Sequence, residues 1–223
     1  MAKTAIIAGA SGLIGKFCLS YLLMDKNYSK VIVISRSPFP IKDPKLENIV
    51  CDFDQLAQYA SKLVADDVYC CLGTTIGVAG SQENFKKVDL YYPIELAKIT
   101  KQQGAKQFMV VSAMGANAKS SLFYNRVKGE MQDQLKNIGF NTTHIFQPSL
   151  LTGLRKEFRL GERIAQVVTK IFRPLMFGPL SKYKPIEGMV VAFAMHQKAS
   201  LEHNGFYIHQ SHDIQSIFDR RVL

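Results

Sequence analysis

A tyrosine and a lysine four residues apart are the first candidates for chemistry in this chain of 223 residues. They stand in the segment SLFYNRVKGE at residues 121–130. Residues spaced by four lie on one face of an α-helix, so Tyr124 and Lys128 can contact a common ligand and transfer a proton to it. The same spacing arises by chance in many solvated helices, so this segment alone leaves both interpretations open.

The composition limits the classes of protein to which the chain can belong. Its length fits one large domain, and 47% hydrophobic with 21% charged residues is typical of globular proteins. No apolar run approaches the ~20 residues that span a bilayer, and the N-terminus lacks a signal-peptide core, so we expect no membrane span. The four cysteines show no CxxC spacing. We therefore expect neither disulfides nor a metal site, and a cytoplasmic location.

The net charge of +10 is compatible with nucleic acid, an anionic membrane surface or a phosphate-rich cofactor. The basic residues are dispersed, and no basic block is interleaved with aromatic residues as a nucleic-acid groove requires. A generally basic surface is the preferred interpretation. We therefore expect a small-molecule substrate, no specific nucleic-acid partner, and a monomer or homodimer.

The elements that must position these residues follow an alternating pattern. Apolar runs alternate with helix-period segments over the first ~150 residues, which predicts βαβ units around a parallel sheet. The predicted strands are 4–8, 31–35, 48–51, 68–72, 107–112, 142–146 and 205–209. The predicted helices are 12–24, 55–63, 82–103, 121–138, 161–172 and 185–198. The fold class is therefore α/β, a doubly wound Rossmann-type parallel sheet. We expect a single NAD(P)-binding domain over residues 1–223, in which residues 150–223 form a small substrate-side cap.

The glycine-rich segment GASGLIG directly follows the first strand and opens the first helix. Glycines at positions 9, 12 and 15 allow a tight turn, close approach of a pyrophosphate, and packing of the helix on the sheet. The amides at the helix N-terminus would then face the phosphates. Gly9, Gly12 and Gly15 are thus candidate cofactor contacts, although a strand-to-helix turn without a ligand gives the same pattern.

The ends of the next strands carry further candidates for cofactor binding. NAD sites commonly place an acidic residue after the second strand, but this chain has Arg36 and Ser37 there, which suit the 2′-phosphate of NADP(H). A solvated arginine is the alternative interpretation. Asp52 can contact the adenine amino group with Phe53 beside the ring. In CCLGTT, the backbone at Gly73 and Thr74 can pass close to the cofactor.

Taken together, GASGLIG, CDF, CCLGTT, VVSAMGA and YNRVKGE resemble the short-chain dehydrogenase/reductase superfamily in order and spacing. Within it, the chain is most similar to the atypical branch that contains the Tat-interacting protein family. The similarity extends from residue 4 to at least residue 161. The resemblance implies a catalytic triad of Ser112, Tyr124 and Lys128. It implies cofactor contacts at Ser11, Gly12, Leu13, Ile14, Arg36, Ser37, Leu72, Gly73, Leu151 and Arg159.

One segment departs from the family pattern. After the sixth strand the chain reads QPS, whereas Arg-Pro-Gly is more usual in the family, so Gln147 and Ser149 differ on the nicotinamide side. The chemistry expected of the triad is proton delivery to an alkoxide that forms during hydride transfer. Free tyrosine titrates near pH ~10, and a lysine cation one turn away favours the phenolate and can also hold the nicotinamide ribose. Ser112 would hydrogen-bond the substrate oxygen.

Other polar residues receive simpler interpretations. The HxxH spacing of His209 and His212 lacks supporting carboxylates, so we expect a surface turn instead of a metal site. His144 is expected to be a hydrogen-bonded core histidine. Three functions stay open: an NADP(H)-dependent oxidoreductase acting on a carbonyl or alcohol, an NADP(H)-binding redox-sensing regulator without turnover, and an epimerase or dehydratase that uses the same cofactor.

Overall fold

The computed structural model describes residues 2–152, 184–201 and 203–222. A seven-stranded sheet forms its centre, in the order β3-β2-β1-β4-β5-β6-β9, and each neighbouring pair runs parallel. Its strands are β1 (Lys3–Ala8), β2 (Tyr28–Ser35), β3 (Leu46–Val50), β4 (Asp67–Cys70), β5 (Gln107–Val111), β6 (Thr142–Gln147) and β9 (Gly205–Gln210). A short parallel pair, β7 (Leu151–Thr152) and β8 (Ile186–Glu187), lies apart from the sheet. The predicted Rossmann-type α/β fold is confirmed.

Helices cover both faces of the sheet. They are α1 (Gly15–Met24), a 3₁₀ helix (Phe53–Lys62), α2 (Ile76–Ala79), α3 (Gln82–Lys86), a π-helical turn (Lys87–Tyr91), α4 (Tyr92–Gln102), α5 (Phe123–Ile138), α6 (Gly188–Ala199), α7 (Ser211–Asp219) and a final 3₁₀ turn (Arg220–Val222). No helix in the described ranges is both long enough and apolar enough to cross a bilayer.

The apolar strands supply both faces of the core because successive side chains point to opposite sides of a sheet. In β1, Ile6 belongs to the apolar cluster that includes α4 and α5, whereas Ile7 belongs to the cluster that includes α1 and α6. Both residues are fully buried. Each such side chain contributes about 1.5–3 kcal/mol by leaving water, so the continuously apolar strands are the main source of stability.

The predicted helix 82–103 is divided into α3, the π-helical turn and α4. Pro93 lies in the first turn of α4, where the missing N–H costs no hydrogen bond. The π-helical turn before it contains Asp89, whose carboxylate is almost completely buried. A π-helical turn inserts one residue into a helix and often marks a functional site. The predicted helix over 82–103 is therefore confirmed as one uninterrupted helical segment, which contains a π-helical turn that the sequence did not indicate.

Helix α5 begins at Phe123 and ends at Ile138, and the next residue, Gly139, adopts the left-handed conformation that commonly terminates a helix. Leu122 is the N-cap residue and makes no side-chain capping bond, so neither Ser120 nor Ser121 caps the helix. The hydroxyl of Ser120 instead accepts a bond from the amide of Leu122, in the turn before the helix.

The histidine interpretations had mixed outcomes. His144 is a buried, hydrogen-bonded core residue as predicted: its Nδ1 lies 3.0 Å from Nε2 of His209. The predicted surface turn was wrong, since His209 lies buried in β9 and His212 lies in α7. Tyr207, His209 and His144 stack across the β6–β9 pair, and this stacking explains why a histidine sits inside a strand.

The C-terminal region belongs in part to the central layers. β9 extends the sheet beside β6, and α6 packs against α1 on one face. Residues 153–183, which include the predicted helix 161–172, lie outside the described residues. The substrate-side cap predicted for residues 150–223 therefore stays a prediction.

Candidate functional site

The candidate residues follow the carboxyl ends of neighbouring strands. Because all strands of the sheet are parallel, segments after β1, β4, β5 and β6 emerge at one edge. The chain order reverses between β1 and β4, which is the topological switch point where open α/β sheets bind ligands. The sheet therefore places GASGLIG and CCLGTT next to each other, with Ser112 one strand further along.

Two glycines of the GASGLIG loop are required by close backbone contacts. Gly9 has a φ of +84°, and a Cβ atom there would lie 2.6 Å from the carbonyl oxygen of Cys71. A Cβ atom at Gly15 would lie 2.1 Å from the carbonyl oxygen of Gly9. Any larger side chain would push the loop away from β4 or the helix away from the loop, so the tight turn depends on glycine.

The first turn of α1 is open to an anion. Its N-cap residue, Ile14, makes no side-chain capping bond, and the first turn contains no acidic residue. Ser11 and Gly12 are exposed in front of it, while Leu13 is half-buried. Helix N-termini leave N–H groups without intrahelical partners, and a phosphate satisfies them. These residues therefore fit the pyrophosphate of a dinucleotide.

The residues after β2 present a cation and hydroxyl groups. Arg36 and Ser37 are exposed, and Arg36 makes no ion pair within the described residues. The Ser35 hydroxyl donates to the carbonyl of Ser37 at 2.7 Å and accepts from the Asn48 amide at 2.8 Å, which fixes the turn. A guanidinium held beside a fixed turn fits a phosphate ester.

Asp52 and Phe53 occupy the turn after β3. Asp52 is exposed, and its carboxylate accepts a bond from the Asp54 amide as the N-cap of the 3₁₀ helix. The Phe53 ring is buried against the Tyr92 ring, with a centroid distance of 5.3 Å. The Phe53 side chain faces the core. The adenine contacts predicted for Asp52 and Phe53 stay a prediction.

Lys128 forms a buried ion pair that the sequence did not indicate. Its Nζ lies 2.7 Å from Oδ1 of Asp89, and the side chains of Lys128 and Asp89 are only 5% and 1% exposed. Burial by itself lowers the pKa of Lys128, but the negative charges of Asp89 and a Tyr124 phenolate outweigh it, so the pKa of Lys128 is raised. Lys128 is therefore held as a cation at neutral pH.

Asp89 also fixes the loop after β4. Its Oδ2 accepts a bond of 2.8 Å from the amide of Thr74. A Cβ atom at the exposed Gly73 would lie 3.5 Å from Oδ1 of the same carboxylate, so this loop passes directly over the ion pair. Leu72 is half-buried beneath it. One carboxylate thus joins the CCLGTT loop to the lysine on α5.

Ser112 immediately follows β5 and is 5% exposed. Its backbone amide donates to the carbonyl of Phe146 at 2.7 Å. Its hydroxyl oxygen accepts a bond of 2.5 Å from the side-chain amide of Gln132, and the Gln132 carbonyl oxygen accepts from Gln147 at 3.1 Å. The segment that departs from the family pattern therefore connects to Ser112.

Tyr124 lies in the first turn of α5, one turn before Lys128, and is 37% exposed. Its ring contacts Phe85 at a centroid distance of 5.5 Å, which orients the ring from the α3 side. Ser112, Tyr124 and Lys128 thus lie on adjoining elements at one edge of the sheet. The catalytic role of these three residues stays a prediction.

Two remaining candidates lie on the nicotinamide side. Leu151 is half-buried in β7, where it pairs with Ile186. Arg159 lies outside the described residues. In the part of the chain that the structure describes, no cluster of three His, Cys, Asp or Glu side chains could hold a metal ion. All four cysteines are free thiols.

Asp89 and Gln132 are the site residues that the sequence reasoning missed. Asp89 gave a weak signal, because it is an acidic residue within an apolar run of a helix that must pack on the sheet. Gln132 gave one too, since it follows Lys128 by four residues and so shares its helical face. Neither spacing reveals the partner, which lies on another element.

The comparisons with known proteins agree with this geometry. Residues 9–168 match a family described as NAD(P)H-binding. The chain is 36% identical over 168 residues to Protein HTATIP2 of Rattus norvegicus, which covers 74% of this chain and 69% of that protein. It is 36% identical over 171 residues to the mitochondrial Protein FMP52 of Candida albicans, which covers 74% of this chain and 75% of that protein.

Solved structures share the fold at low identity. MoeE5 in complex with UDP-glucose and NAD has a TM-score of 0.70 and 14% identity, over 96% of this chain and 80% of that one. UDP-glucose 4-epimerase of Thermotoga maritima has a TM-score of 0.70 and 13% identity, over 93% of this chain and 76% of that one. With the family match over residues 9–168 and 36% identity to HTATIP2 and FMP52, the chain belongs to the NAD(P)H-binding family.

Proposed function

We propose that the protein is an NADP(H)-dependent oxidoreductase that acts on a carbonyl or alcohol substrate through Ser112, Tyr124 and Lys128. One observation carries the proposal. The ammonium of Lys128 is held as a buried cation by Asp89, at the edge of the sheet where the pyrophosphate loop also lies. A lysine on the protein surface is solvated and requires no buried carboxylate partner. A buried cation beside a tyrosine, by contrast, is suited to proton transfer.

Each residue of the triad would have a separate task. Tyr124, whose side chain is partly exposed, would give its phenol proton to the substrate oxygen or take one from it. Lys128 would stabilise the phenolate by its charge and bind the nicotinamide ribose. Ser112 would donate a hydrogen bond to the same substrate oxygen. The bound nicotinamide supplies or accepts the hydride.

The preference for NADP(H) over NAD(H) rests on the turn after β2. Arg36 is exposed without an ion pair among the described residues, and the hydroxyl of Ser37 stands next to it. An acidic residue that would bind the free ribose hydroxyl of NAD is missing from SRS. The exposed guanidinium of Arg36 is therefore accessible to the extra phosphate, and it forms no ion pair in the part of the chain that the structure describes.

The test is a screen of aldehydes and ketones in which NADPH consumption is followed by absorbance, beside a titration of cofactor binding. NADPH binding with turnover of at least one carbonyl compound is the expected result. If the protein binds NADPH but oxidises it with none of them, the rival function, a redox-sensing regulator, replaces the oxidoreductase. If it binds neither NADPH nor NADH, both proposals fail.

Partner and location are further parts of the proposal. The dispersed basic charge supports a small-molecule substrate, so duplex DNA should bind weakly and be released by moderate salt. The four free thiols support a reducing compartment, and we propose the cytoplasm. The fungal relatives named FMP52 are called mitochondrial. Fractionation of cells expressing the tagged protein separates the two locations.

A further inference from the structure

A chain of two glutamines leads to the hydroxyl of Ser112 from inside the protein. Gln147, at the end of β6, donates from its Nε2 to Oε1 of Gln132 at 3.1 Å. Gln132, on the buried face of α5, donates from its Nε2 to Oγ of Ser112 at 2.5 Å. Gln132 and Ser112 are 6% and 5% exposed, so water has little access to this chain of bonds.

The direction of these bonds decides what Ser112 can do. A glutamine amide has one end that only donates and one end that only accepts. Since the carbonyl end of Gln132 accepts from Gln147, its amide end faces Ser112 and can only donate. The Ser112 oxygen therefore acts as an acceptor towards the protein, and its own proton is left for another partner.

We propose that Gln132 and Gln147 are positioning residues that keep the Ser112 hydroxyl proton free for donation to the oxygen of the ligand. The inference rests on the proposed function for the identity of that ligand, a carbonyl or alcohol. It also gives a reason for Gln147, which stands where the family more usually has arginine. A neutral amide at position 147 donates to Gln132 and so fixes the direction of the bond to Ser112, without adding a charge to this chain of bonds.

The alternative is that the two glutamines only fill space between α5 and β6. The substitution Gln132→Glu separates the two roles, because it keeps the shape but makes residue 132 an acceptor once it is ionised. Ser112 would then donate its proton to the carboxylate and lose it for the substrate. We expect kcat to fall by about 10²–10³, the usual effect of losing one oxyanion donor. Cofactor affinity should stay unchanged, because neither glutamine is a predicted cofactor contact.

The dependence on pH provides a signature that a packing role would not give. Burial at position 132 raises the pKa of the introduced carboxyl, and its protonated form can still donate to Ser112, so the deficit of Gln132→Glu should grow as pH rises from 6 to 9. The nearby charged groups, Lys128 on α5 and Asp89 on the π-helical turn, are paired with each other at 2.7 Å. The matched control is Gln134→Glu, the same chemical change at an exposed position of α5, which should keep full activity.

A double-mutant cycle shows whether Gln132 acts through Ser112. If it does, Gln132→Glu should cause no further loss of kcat in a Ser112→Ala background, because the two residues form one unit. Additive losses, or full activity of Gln132→Glu at pH 9, would overturn the proposal. Thermal unfolding of each variant identifies a loss of kcat that comes from misfolding.

A second measurement tests the bond direction without any substrate. In ¹⁵N NMR spectra, the side-chain NH₂ resonances of Gln132 should shift and exchange faster with water after Ser112→Ala. Those of Gln134 should not change. Unchanged Gln132 resonances would overturn the proposed direction, even if the oxidoreductase function holds. Conversely, the protein could show the expected shift of the Gln132 resonances and yet turn over no carbonyl compound. That result would support the proposed bond direction and reject the oxidoreductase function.

Discussion

The two halves of the candidate site are built in opposite ways. The half that follows β1 and β2 presents exposed residues to solvent, namely Ser11 and Gly12 of the GASGLIG loop and the side chain of Arg36. The half at β5 and α5 consists of buried side chains that are bonded to each other, such as Lys128 with Asp89. Phosphates keep their charge in water and need only donors at the surface, whereas proton transfer needs groups whose charge and orientation are fixed.

This contrast shows where substitutions should have large effects. In the open half, substitution of an exposed side chain such as Arg36 should change cofactor affinity and leave the fold intact. In the buried half, removal of one partner leaves another charge or polar group without compensation. We therefore expect effects on turnover and stability in the buried half, and effects on cofactor choice in the open half.

The largest expected effect is that of Tyr124→Phe, which tests the reacting end of the buried half. It removes one oxygen and keeps the ring against Phe85. Turnover on an identified carbonyl should fall by about 10²–10⁴, the usual contribution of a positioned proton donor. NADPH affinity should change little. Steady-state kinetics with cofactor titration measures both quantities, and Tyr91→Phe, at another exposed tyrosine, is the control.

Lys128→Ala should differ from Tyr124→Phe in cofactor affinity and also in stability, because it leaves the buried Asp89 carboxylate unpaired. It removes the proposed ribose contact as well as the charge beside the phenol, so cofactor affinity and turnover should both fall. Full activity of Tyr124→Phe would show that the YxxxK spacing is a coincidence on a helix surface, and the proposed mechanism would lose its proton donor.

The second expected effect concerns the stability of the buried half. Asp89→Ala leaves the Lys128 cation unpaired inside the protein and should lower the free energy of unfolding by about 3–5 kcal/mol. Asp54→Ala is the matched control, because the Asp54–Lys87 pair at 3.5 Å has side chains 51% and 41% exposed; it should cost about 0–1 kcal/mol. Urea denaturation measures both, and equal losses would contradict the contrast between the halves.

The pH dependence of the Lys128–Asp89 pair follows from the raised pKa of Lys128. A raised pKa in the folded state means that the folded protein holds this proton more tightly than the unfolded chain does. The contribution of this pair to the free energy of unfolding is therefore complete below the ordinary lysine pKa of ~10.4, and it is lost only as pH rises above that value. In Asp89→Asn, burial would instead lower the pKa of Lys128, so the stability difference from the unmutated protein should shrink as pH rises from 7 to 9, which urea denaturation at each pH measures.

The third prediction tests the open half. Arg36→Asp should weaken NADPH binding by about ten- to hundred-fold, because one charge-assisted hydrogen bond contributes ~1.5–3 kcal/mol. NADH binding should change less, so the preference narrows or reverses. Arg220→Asp, at an exposed arginine far along the chain, is the control. Equal titration curves for NADPH and NADH in the unmutated protein would remove the basis of the NADP(H) assignment.

The smallest expected effect extends the comparison to the buried edge at β6 and β9. Burial, with the positive charges of His209, Lys198 and His203, lowers the pKa of His144 to about 3. An unfolded histidine binds a proton near pH ~6.5, so acidification favours the unfolded chain and should cost about 2 kcal/mol between pH 7 and 5.

His144→Phe should reduce that pH-dependent loss while keeping a ring against Tyr207. His212→Phe replaces an exposed histidine and should leave the loss as it is in the unmutated protein. Urea denaturation of the three proteins at pH 7 and pH 5 measures the difference. If His144→Phe and the unmutated protein lose the same free energy of unfolding between pH 7 and pH 5, another group is responsible for the pH dependence.

The sequence by itself determined the sheet and most of its helices. Continuous apolar runs such as IIA in β1 and VIVIS in β2 have no polar face, so they must be covered on both sides, and parallel strands satisfy that requirement. GASGLIG could be located because its glycines and the neighbouring helix are adjacent in the chain. Family resemblance then supplied positions such as Ser112 that spacing alone would not have selected.

Only the tertiary structure decided which groups surround Lys128 and Ser112. Asp89 precedes Lys128 by 39 positions, and Gln147 follows Ser112 by 35, so no local period joins them. Their contacts arise because parallel strands bring the β4, β5 and β6 ends to one edge, and because Asp89 lies buried in the π-helical turn. Local spacing determines which side chains share a face, but the charge state and hydrogen-bond direction of a buried group depend on partners that folding brings from elsewhere.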